Sequence, residues 1–428
     1  MAISEQSGPD RRRPAVPRKV AVIGLGHVGS VVSMLAVAAG HNVIGYDIDP
    51  DRIARMTGGH DDLGDVPRPL IAEALASGRF VATVDPALLA GFEVAVISVP
   101  TPLIGGRPDL RCLEDAAATV AKHARPGCTV IVESTTWPGT TDEVVAPLLE
   151  STGLSVGSDV RLGYCPERIN PGDGFAALPA VPKIVSGVDA ASLAAVTLFW
   201  EGLVEVVVPA PDMRTAELAK LIENTFRLVN VSLVNEIARH TAGLGTDISA
   251  AVELAATKPY GFMAFRPGIG AGGHCIPVAP RYLSWRIGDI GGVSPLIDAA
   301  LRVNDTVPEW VAERIVAGLA RRGIAAADAV VLVAGITYKP NVAHVAGSRA
   351  LDVIAALGDH GVRVLTYDPV AEGVADVFAV VTTELVSTVS AVAVLIAHDR
   401  LDLATLSTAR YVFDACAVVA PGPDVEFL

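Results

Sequence analysis

Aromatic residues make up only 5% of this 428-residue chain, and Lys and Arg together number 33 against 47 Asp and Glu. The first shortage argues against an aromatic-rich β-sandwich and for α/β layers. The second, a formal charge of −14, argues against a nucleic-acid surface, which needs clustered cations to displace phosphate counterions. Cysteine is scarce too. Cys112, Cys128, Cys165, Cys275 and Cys416 lie far apart with none of the paired spacing of a metal site, so no metal is expected. Reduced thiols in the cytoplasm are the expectation, with one thiol available as a nucleophile. No run approaches the roughly 20 apolar residues that span a bilayer, so no membrane partner is expected. The single basic run, RRRPAVPRK at 11–19, reads as a disordered tail over 1–18 rather than an export signal. His27 and three spaced glycines interrupt the apolar stretch behind it, and no small-residue cleavage site follows.

What is present is alternation. KVAVIGLG, NVIGYDID, EVAVISVP and CTVIVEST recur between helical stretches, the pattern of a parallel sheet with helices on both faces. From residue 213 the character becomes helical, RTAELAKLIENTFRLVNVSLVNEIARHTAGLG, with Gly243 and Gly245 as the stop signal. After a linking helix from about Val307 to Arg322, alternation resumes in AVVLVAGITY, VRVLTYDP, AVAVLIAH and YVFDACAVV. The expected fold is α/β: two Rossmann-like doubly wound parallel-sheet domains, 19–208 and 307–428, joined by a central helical domain at 209–306.

VIGLGHVGS places Gly24, Gly26 and Gly29 in G-x-G-x-x-G spacing between a strand and a helix. The first glycine permits the tight turn, the second the approach of a pyrophosphate, and the third close helix packing; the phosphates then sit on a helix N-terminus. Asp47 falls near the roughly 20-residue offset at which a carboxylate accepts ribose hydroxyls and repels a 2′-phosphate. NAD is therefore expected rather than NADP, although Arg52 lies close by. His27 and Val28 within the loop, Val99, Pro100 and Thr101 of SVPTP, and Thr135 of ESTTWPGTT complete the expected cofactor site at the carboxyl edge of the sheet.

Lys220 and Asn224, four residues apart, share a helix face beside an apolar stripe. They read either as substrate ligands or as a snorkelling surface pair. Cys275 follows Gly270, Gly272 and Gly273, which expose backbone amides and leave space for a substrate carbon to reach the sulfur. The alternative is a buried, inert thiol.

GLGHVG, VPTP, ESTTWPGTT, PERINPG, ELAKLIENTFRLVNVSLVNE, KPYGFMAFRPGIGAGGHCIP and GITYKP occur in that order. Together they resemble the UDP-glucose/GDP-mannose dehydrogenase family, and within it the UDP-N-acetylglucosamine (or mannosamine) 6-dehydrogenases. The resemblance implies two Rossmann-like domains around a helical dimer core. It also implies oxidation of C6 of a nucleotide-bound hexose from alcohol to carboxylate, with two NAD per turnover. By position Cys275 is the nucleophile, capturing the intermediate aldehyde as a thiohemiacetal that becomes a thioester. Lys220 is the catalytic lysine and Asn224 its hydrogen-bonding partner. Thr135 and Glu167 position water and the C6 group, and Lys339 contacts the diphosphate. Arg168, Arg266 and Gly272 join Glu167, Lys220, Asn224 and Lys339 as expected substrate contacts.

This chain departs from the family at three places. Relatives carry an aspartate four residues after the cysteine, where CIPVAP has Ala279. NVAHVAGS, with His344, Ala346 and Gly347, replaces a segment of acidic residues and Arg-Glu-Ser. Near the end, Ala415 and Cys416 stand where a basic pair is common. Three readings follow: an ordinary 6-dehydrogenase with Glu167 or solvent in place of the aspartate; a variant giving partial oxidation, redox epimerisation or acyl transfer; and a retired ligand-binding protein.

Overall fold

The computed structural model describes residues 16–60, 66–170, 172, 175–371 and 374–428 and divides into two units, Met1–Leu221 and Ile222–Leu428. Most of the expected tail over 1–18 lies outside the described residues.

Each unit carries one six-stranded parallel sheet. In the first, the order across the sheet is Phe80–Thr83, Asn42–Tyr46, Lys19–Ile23, Val94–Ile97, Thr129–Val132, Arg161–Tyr164. In the second it is Val377–Phe378, Arg363–Tyr367, Val330–Ala334, Ala391–Val394, Val412–Asp414, Val425–Phe427. Numbered in chain order within its sheet, each reads 3-2-1-4-5-6, the doubly wound order with its switch point beside the first strand. The central strands are apolar throughout because helices cover both faces. In the second sheet Val331 and Val333 enter one core, while Leu332 and Ala334 enter another on the opposite face.

In sequence between the sheets come the helices Met213–Leu244, Ile248–Ala256, Ala279–Asp289 and Pro295–Arg321. The first ends where expected, at Gly245 with φ +66. The last is longer than the linking helix expected from Val307, and the expected domain boundary at 306/307 falls inside it. Pro308 lies buried in the helix interior, and the carbonyl it leaves unbonded one turn earlier, that of Asn304, accepts from Arg349 Nη2 at 2.8 Å. Among the described residues no helix is long and apolar enough to cross a membrane.

Candidate active site

At the switch point of the first sheet the glycine loop has the geometry its spacing requires. Gly24 has φ +90, and a Cβ there would lie 2.2 Å from the Ser98 carbonyl oxygen. On Gly29 it would lie 1.8 Å from the Gly24 carbonyl oxygen. On Gly26 it would meet nothing nearer than Arg52 Nη1 at 3.7 Å, so that face of the loop stands open to a ligand. The helix His27–Ala38 takes its first bond from Ser30 N–H to the Gly26 carbonyl, so its start points the amides of His27, Val28 and Gly29 outward. Asp47 accepts from the Leu25 amide at 2.8 Å and the Asp49 amide at 3.0 Å, while Arg52 Nη1 donates to the Leu25 carbonyl at 3.1 Å. The carboxylate keeps acceptor capacity for ribose hydroxyls, and these residues fit NAD.

Two further strand ends are stitched together beside this loop. The Val99 amide donates to Ser134 Oγ at 2.9 Å, and Thr101 Oγ1 donates to the Thr135 carbonyl at 2.7 Å. Glu133, one residue earlier, forms a buried ion pair with Lys183, whose ammonium also lies 3.1 Å from Glu167 Oε2 and 4.2 Å from the centre of the Trp200 ring. Burial pushes the Glu133 carboxyl above the usual range against the pull of Lys183. Burial also works against the Lys183 charge, but the carboxylates of Glu133 and Glu167 outweigh it and hold Lys183 protonated. Glu167 Oε1 accepts from the Arg168 and Ile169 amides, and the Glu167 carbonyl accepts from Lys220 Nζ. Both Glu167 oxygens are therefore committed within the protein. Arg168 Nη1 donates to the Pro182 carbonyl at 3.0 Å.

One turn before Lys220, the buried Glu217 accepts from the Gly139 amide at 2.5 Å, the Thr141 amide at 2.9 Å and Thr141 Oγ1 at 2.7 Å. It fastens the long helix to the turn after ESTT. Burial raises its carboxyl to about 7, with the Thr141 and Gly139 hydrogen bonds pulling the other way.

In the second unit the cysteine loop is held by Asn304, which accepts from the Ala271 amide at 2.6 Å and donates to the Ala271 carbonyl at 3.2 Å. A Cβ on Gly272 would lie 2.7 Å from the Gly347 carbonyl oxygen, and on Gly273 2.9 Å from the Tyr338 ring. The Gly273 amide donates to that same carbonyl at 2.9 Å. The expectation that these glycines clear space for substrate is therefore corrected at Gly272 and Gly273: the space is taken by the chain's own 338–347 segment. The glycines lock two loops together, with the His274 ring 5.5 Å from that of His344. Beyond this lock the Cys275 thiol is exposed, not buried and inert. Asn224 is buried with Nδ2 lacking a hydrogen-bond partner among the described residues. Arg266 is exposed and pairs with Glu253 at 3.3 Å.

The second sheet repeats the switch-point device. Gly335 has φ +85, and a Cβ there would lie 2.2 Å from the Ile396 carbonyl oxygen. At the end of the neighbouring strand, Asp368 takes the place that Asp47 has in the first sheet. It is fully buried, accepting from the amides of Ile336, Val370 and Ala371 and facing His398. Burial works to raise its carboxyl, but these hydrogen bonds outweigh it and bring it down to about 2.

Family comparisons match this layout from end to end. The NAD binding domain of the UDP-glucose/GDP-mannose dehydrogenase family matches residues 18–201, its central domain 214–306 and its UDP binding domain 332–421. The chain belongs to the UDP-glucose/GDP-mannose dehydrogenase family. It is an NAD-dependent oxidoreductase. Among its relatives, Protein CapL of Staphylococcus aureus is 35% identical over 83% of each chain. The UDP-N-acetyl-D-glucosamine 6-dehydrogenase of Pseudomonas aeruginosa is 36% identical over 82% of each. Among solved structures, the UDP-D-ManNAc dehydrogenase of Pyrococcus horikoshii superposes with a TM-score of 0.87 at 31% identity, covering 96% of this chain and 98% of that one.

Against that family background the three departures have definite structural settings. Ala279 is fully buried in the first turn of the helix Ala279–Asp289, its amide bonded to the Cys275 carbonyl at 3.0 Å. The 341–349 segment forms the other side of the glycine lock. Asp414 folds the 414–419 loop on itself, accepting from the amides of Cys416, Val418 and Val419, and burial raises the Cys416 thiol to about 12.

Of the expected site residues, Gly24, Gly26, His27, Val28, Gly29, Asp47, Arg52, Val99, Pro100, Thr101 and Thr135 gather at the carboxyl edge of the first sheet, and Glu167, Arg168 and Lys220 lie in the same unit. Asn224, Arg266, Gly272, Cys275 and Lys339 lie in the second. Sequence reading passed over Glu133, Lys183 and Glu217. Glu133 and Glu217 stood inside quoted motifs, ESTT and ELAK, where a carboxylate close to an expected site residue was the available signal. Nothing local marked Lys183.

Proposed function

We propose that this enzyme oxidises the C6 hydroxyl of a UDP-linked hexose or N-acetylhexosamine to the carboxylate. The observation that carries this reading is the exposed Cys275 thiol at the end of a locked glycine loop, in a chain whose family pairs an NAD domain with a UDP domain. Bound NAD supplies the hydride acceptor for each two-electron oxidation. The Cys275 thiolate adds to the C6 aldehyde, forming a C–S bond and an alkoxide that takes a proton. Loss of hydride from C6 together with the hydroxyl proton, which passes to solvent, converts this thiohemiacetal to a thioester, which water cleaves to acid and free thiol. A free thiol has a pKa of about 8.5, so a cation that favours thiolate and stabilises oxyanions at C6 is needed, and we assign that role to Lys220. Asn224, with its buried amide, fits a hydrogen-bonding partner of the reacting oxygen. Thr135 is assigned to water and C6 positioning, Lys339 to the diphosphate, and Arg168 and Arg266 to substrate contact. Glu167 acts through its carbonyl, which seats Lys220.

The thioester step has a second reading, favoured by Ala279. With no carboxylate at that position and both Glu167 oxygens occupied, hydrolysis lacks an evident base and the acyl-enzyme accumulates. Counting NADH against nucleotide-sugar product over a panel of UDP- and GDP-sugars decides between them. Two NADH per sugar acid supports full oxidation, and a ratio near one overturns it. A substrate-mass adduct on the Cys275 peptide after brief turnover supports the stalled form.

We assign the cofactor to 19–208, the lysine and cysteine chemistry to 209–306 and the nucleotide to 307–428. A homodimer through the long helix is supported by Ile222, Phe226, Leu233, Ile237 and Leu244, which lie on one helix face and are 43% to 68% exposed. Light scattering should give a dimer, and Leu233→Glu with Ile237→Glu a monomer. All five cysteines are free, which fits a reducing cytoplasm.

A further inference from the structure

Lys339 sits in a turn whose two shoulders are fixed by one imidazole. The Asn341 amide donates to His398 Nδ1 at 2.9 Å, so Nδ1 holds a lone pair and the proton resides on Nε2. Nε2–H lies 3.1 Å from Asp368 Oδ2 and 3.2 Å from Thr337 Oγ1. The Thr337 hydroxyl in turn donates to the Lys339 carbonyl at 3.0 Å. On the far side, Asn341 adopts φ +62, a left-handed conformation that a non-glycine residue keeps only when its surroundings enforce it. The enforcement is visible: besides the bond to His398, the Asp399 amide donates to Asn341 Oδ1 at 2.9 Å. The imidazole itself cannot drift, because His398 is buried and its carboxylate partner is pinned by backbone amides.

We propose that His398 is a positioning residue for nucleotide binding: through Thr337 and Asn341 it pre-forms the turn that presents Lys339 to the diphosphate of a UDP ligand. This rests on the reading of Lys339 as a diphosphate contact, in the segment matched by the family's UDP binding domain. A turn already ordered before binding adds no ordering cost at the moment of binding. Without the imidazole, Asn341 loses one of the two bonds that hold its left-handed backbone and Thr337 loses its anchor, so Lys339 samples more positions.

The test is calorimetric titration of the full chain with UDP, and separately with NAD, for wild type, His398→Ala, His398→Asn, Lys339→Met and the two double variants. An Asn side chain places an acceptor near the Nδ1 position, within reach of the Asn341 amide but short of Asp368. The expected result is that His398→Ala weakens UDP at least tenfold with NAD affinity unchanged, and that His398→Asn recovers part of the loss. Lys339→Met should cost much less in the His398→Ala background than in wild type, a coupling that a general loss of structure would not produce. UDP affinity within twofold of wild type in His398→Ala, or equal costs of Lys339→Met in both backgrounds, overturns the proposal alone. If His398→Ala also loses NAD binding, the same coupling measured with His398→Asn decides. A Lys339→Met variant that binds UDP like wild type, or a wild-type chain that binds no UDP, removes the reading of Lys339 and the proposal with it.

Discussion

Lys220 rests its ammonium on the backbone carbonyl of Glu167, while the carboxylate of that residue is held by Lys183. Lys220, to which we assign the catalytic cation, is thus seated on a peptide group whose position depends on a buried ion-pair cluster. Removing one partner of such a cluster leaves charge buried and uncompensated, at a cost of about 3 to 5 kcal/mol. Lys183→Met should therefore lower unfolding free energy by about that much and reduce turnover as the Lys220 seat loosens. Lys183→Arg, which keeps the charge, should do less of both. Urea denaturation and initial NADH rates check this, and a Lys183→Met enzyme of wild-type stability would contradict it.

The three loop glycines should fail in different ways. Gly24→Ala and Gly29→Ala force a Cβ to 2.2 Å and 1.8 Å from carbonyl oxygens, so both should destabilise the first unit and lower the melting temperature. Gly26→Ala meets only an arginine tip at 3.7 Å; it should keep the wild-type melting temperature and lose NAD affinity. Thermal melts alongside NAD titration separate the two classes.

Ala279→Asp puts a carboxylate into the first turn of a helix, where the dipole favours negative charge. If the thioester waits for want of a base, the variant should release acid faster and show less adduct on Cys275 in rapid-quench mass spectrometry. An unchanged rate of acid release would locate the base elsewhere.

Glu217 makes stability depend on pH with a definite sign. Its folded pKa is raised to about 7, above the unfolded carboxylate value, so between the two the folded state binds more protons. Its contribution is present at low pH and is lost as pH rises through about 7, a change on the order of 3 kcal/mol. Glu217→Gln keeps a carbonyl for the Gly139 and Thr141 amides and cannot ionise. The variant's melting temperature should change less than that of wild type between pH 5 and 8, as read by melts across that range.

The sequence carried those features that depend on neighbours along the chain. The G-x-G-x-x-G loop, Asp47, the Lys220 and Asn224 pair and the Cys275 loop were all readable, because backbone geometry and helix spacing constrain residues a few positions apart. Lys183 was not readable: it opens a three-residue strand and meets Glu133 across fifty positions of chain, a relationship that only folding creates. Short or mixed-polarity strands such as Phe80–Thr83, Val377–Phe378 and Val425–Phe427 had too little periodicity to stand out. The early start of the helix Pro295–Arg321 was not readable either, since the helix runs on through Pro308 with the unbonded Asn304 carbonyl satisfied by Arg349, a partner far along the chain. The departures were legible as substitutions, but their setting was not: nothing in NVAHVAGS told that its Gly347 carbonyl would fill the missing side chain of Gly272.

The twin switch points have opposite fates. In the first sheet the acid at the end of the second strand, Asp47, keeps 13% of its side chain exposed; in the second its counterpart Asp368 keeps none, its oxygens taken by the chain's own amides and His398. A dinucleotide entering the second crevice finds no carboxylate to grip its ribose. One architecture thereby offers two crevices of different chemistry, one with a carboxylate partly open to a ligand and one whose carboxylate is spent on the fold itself.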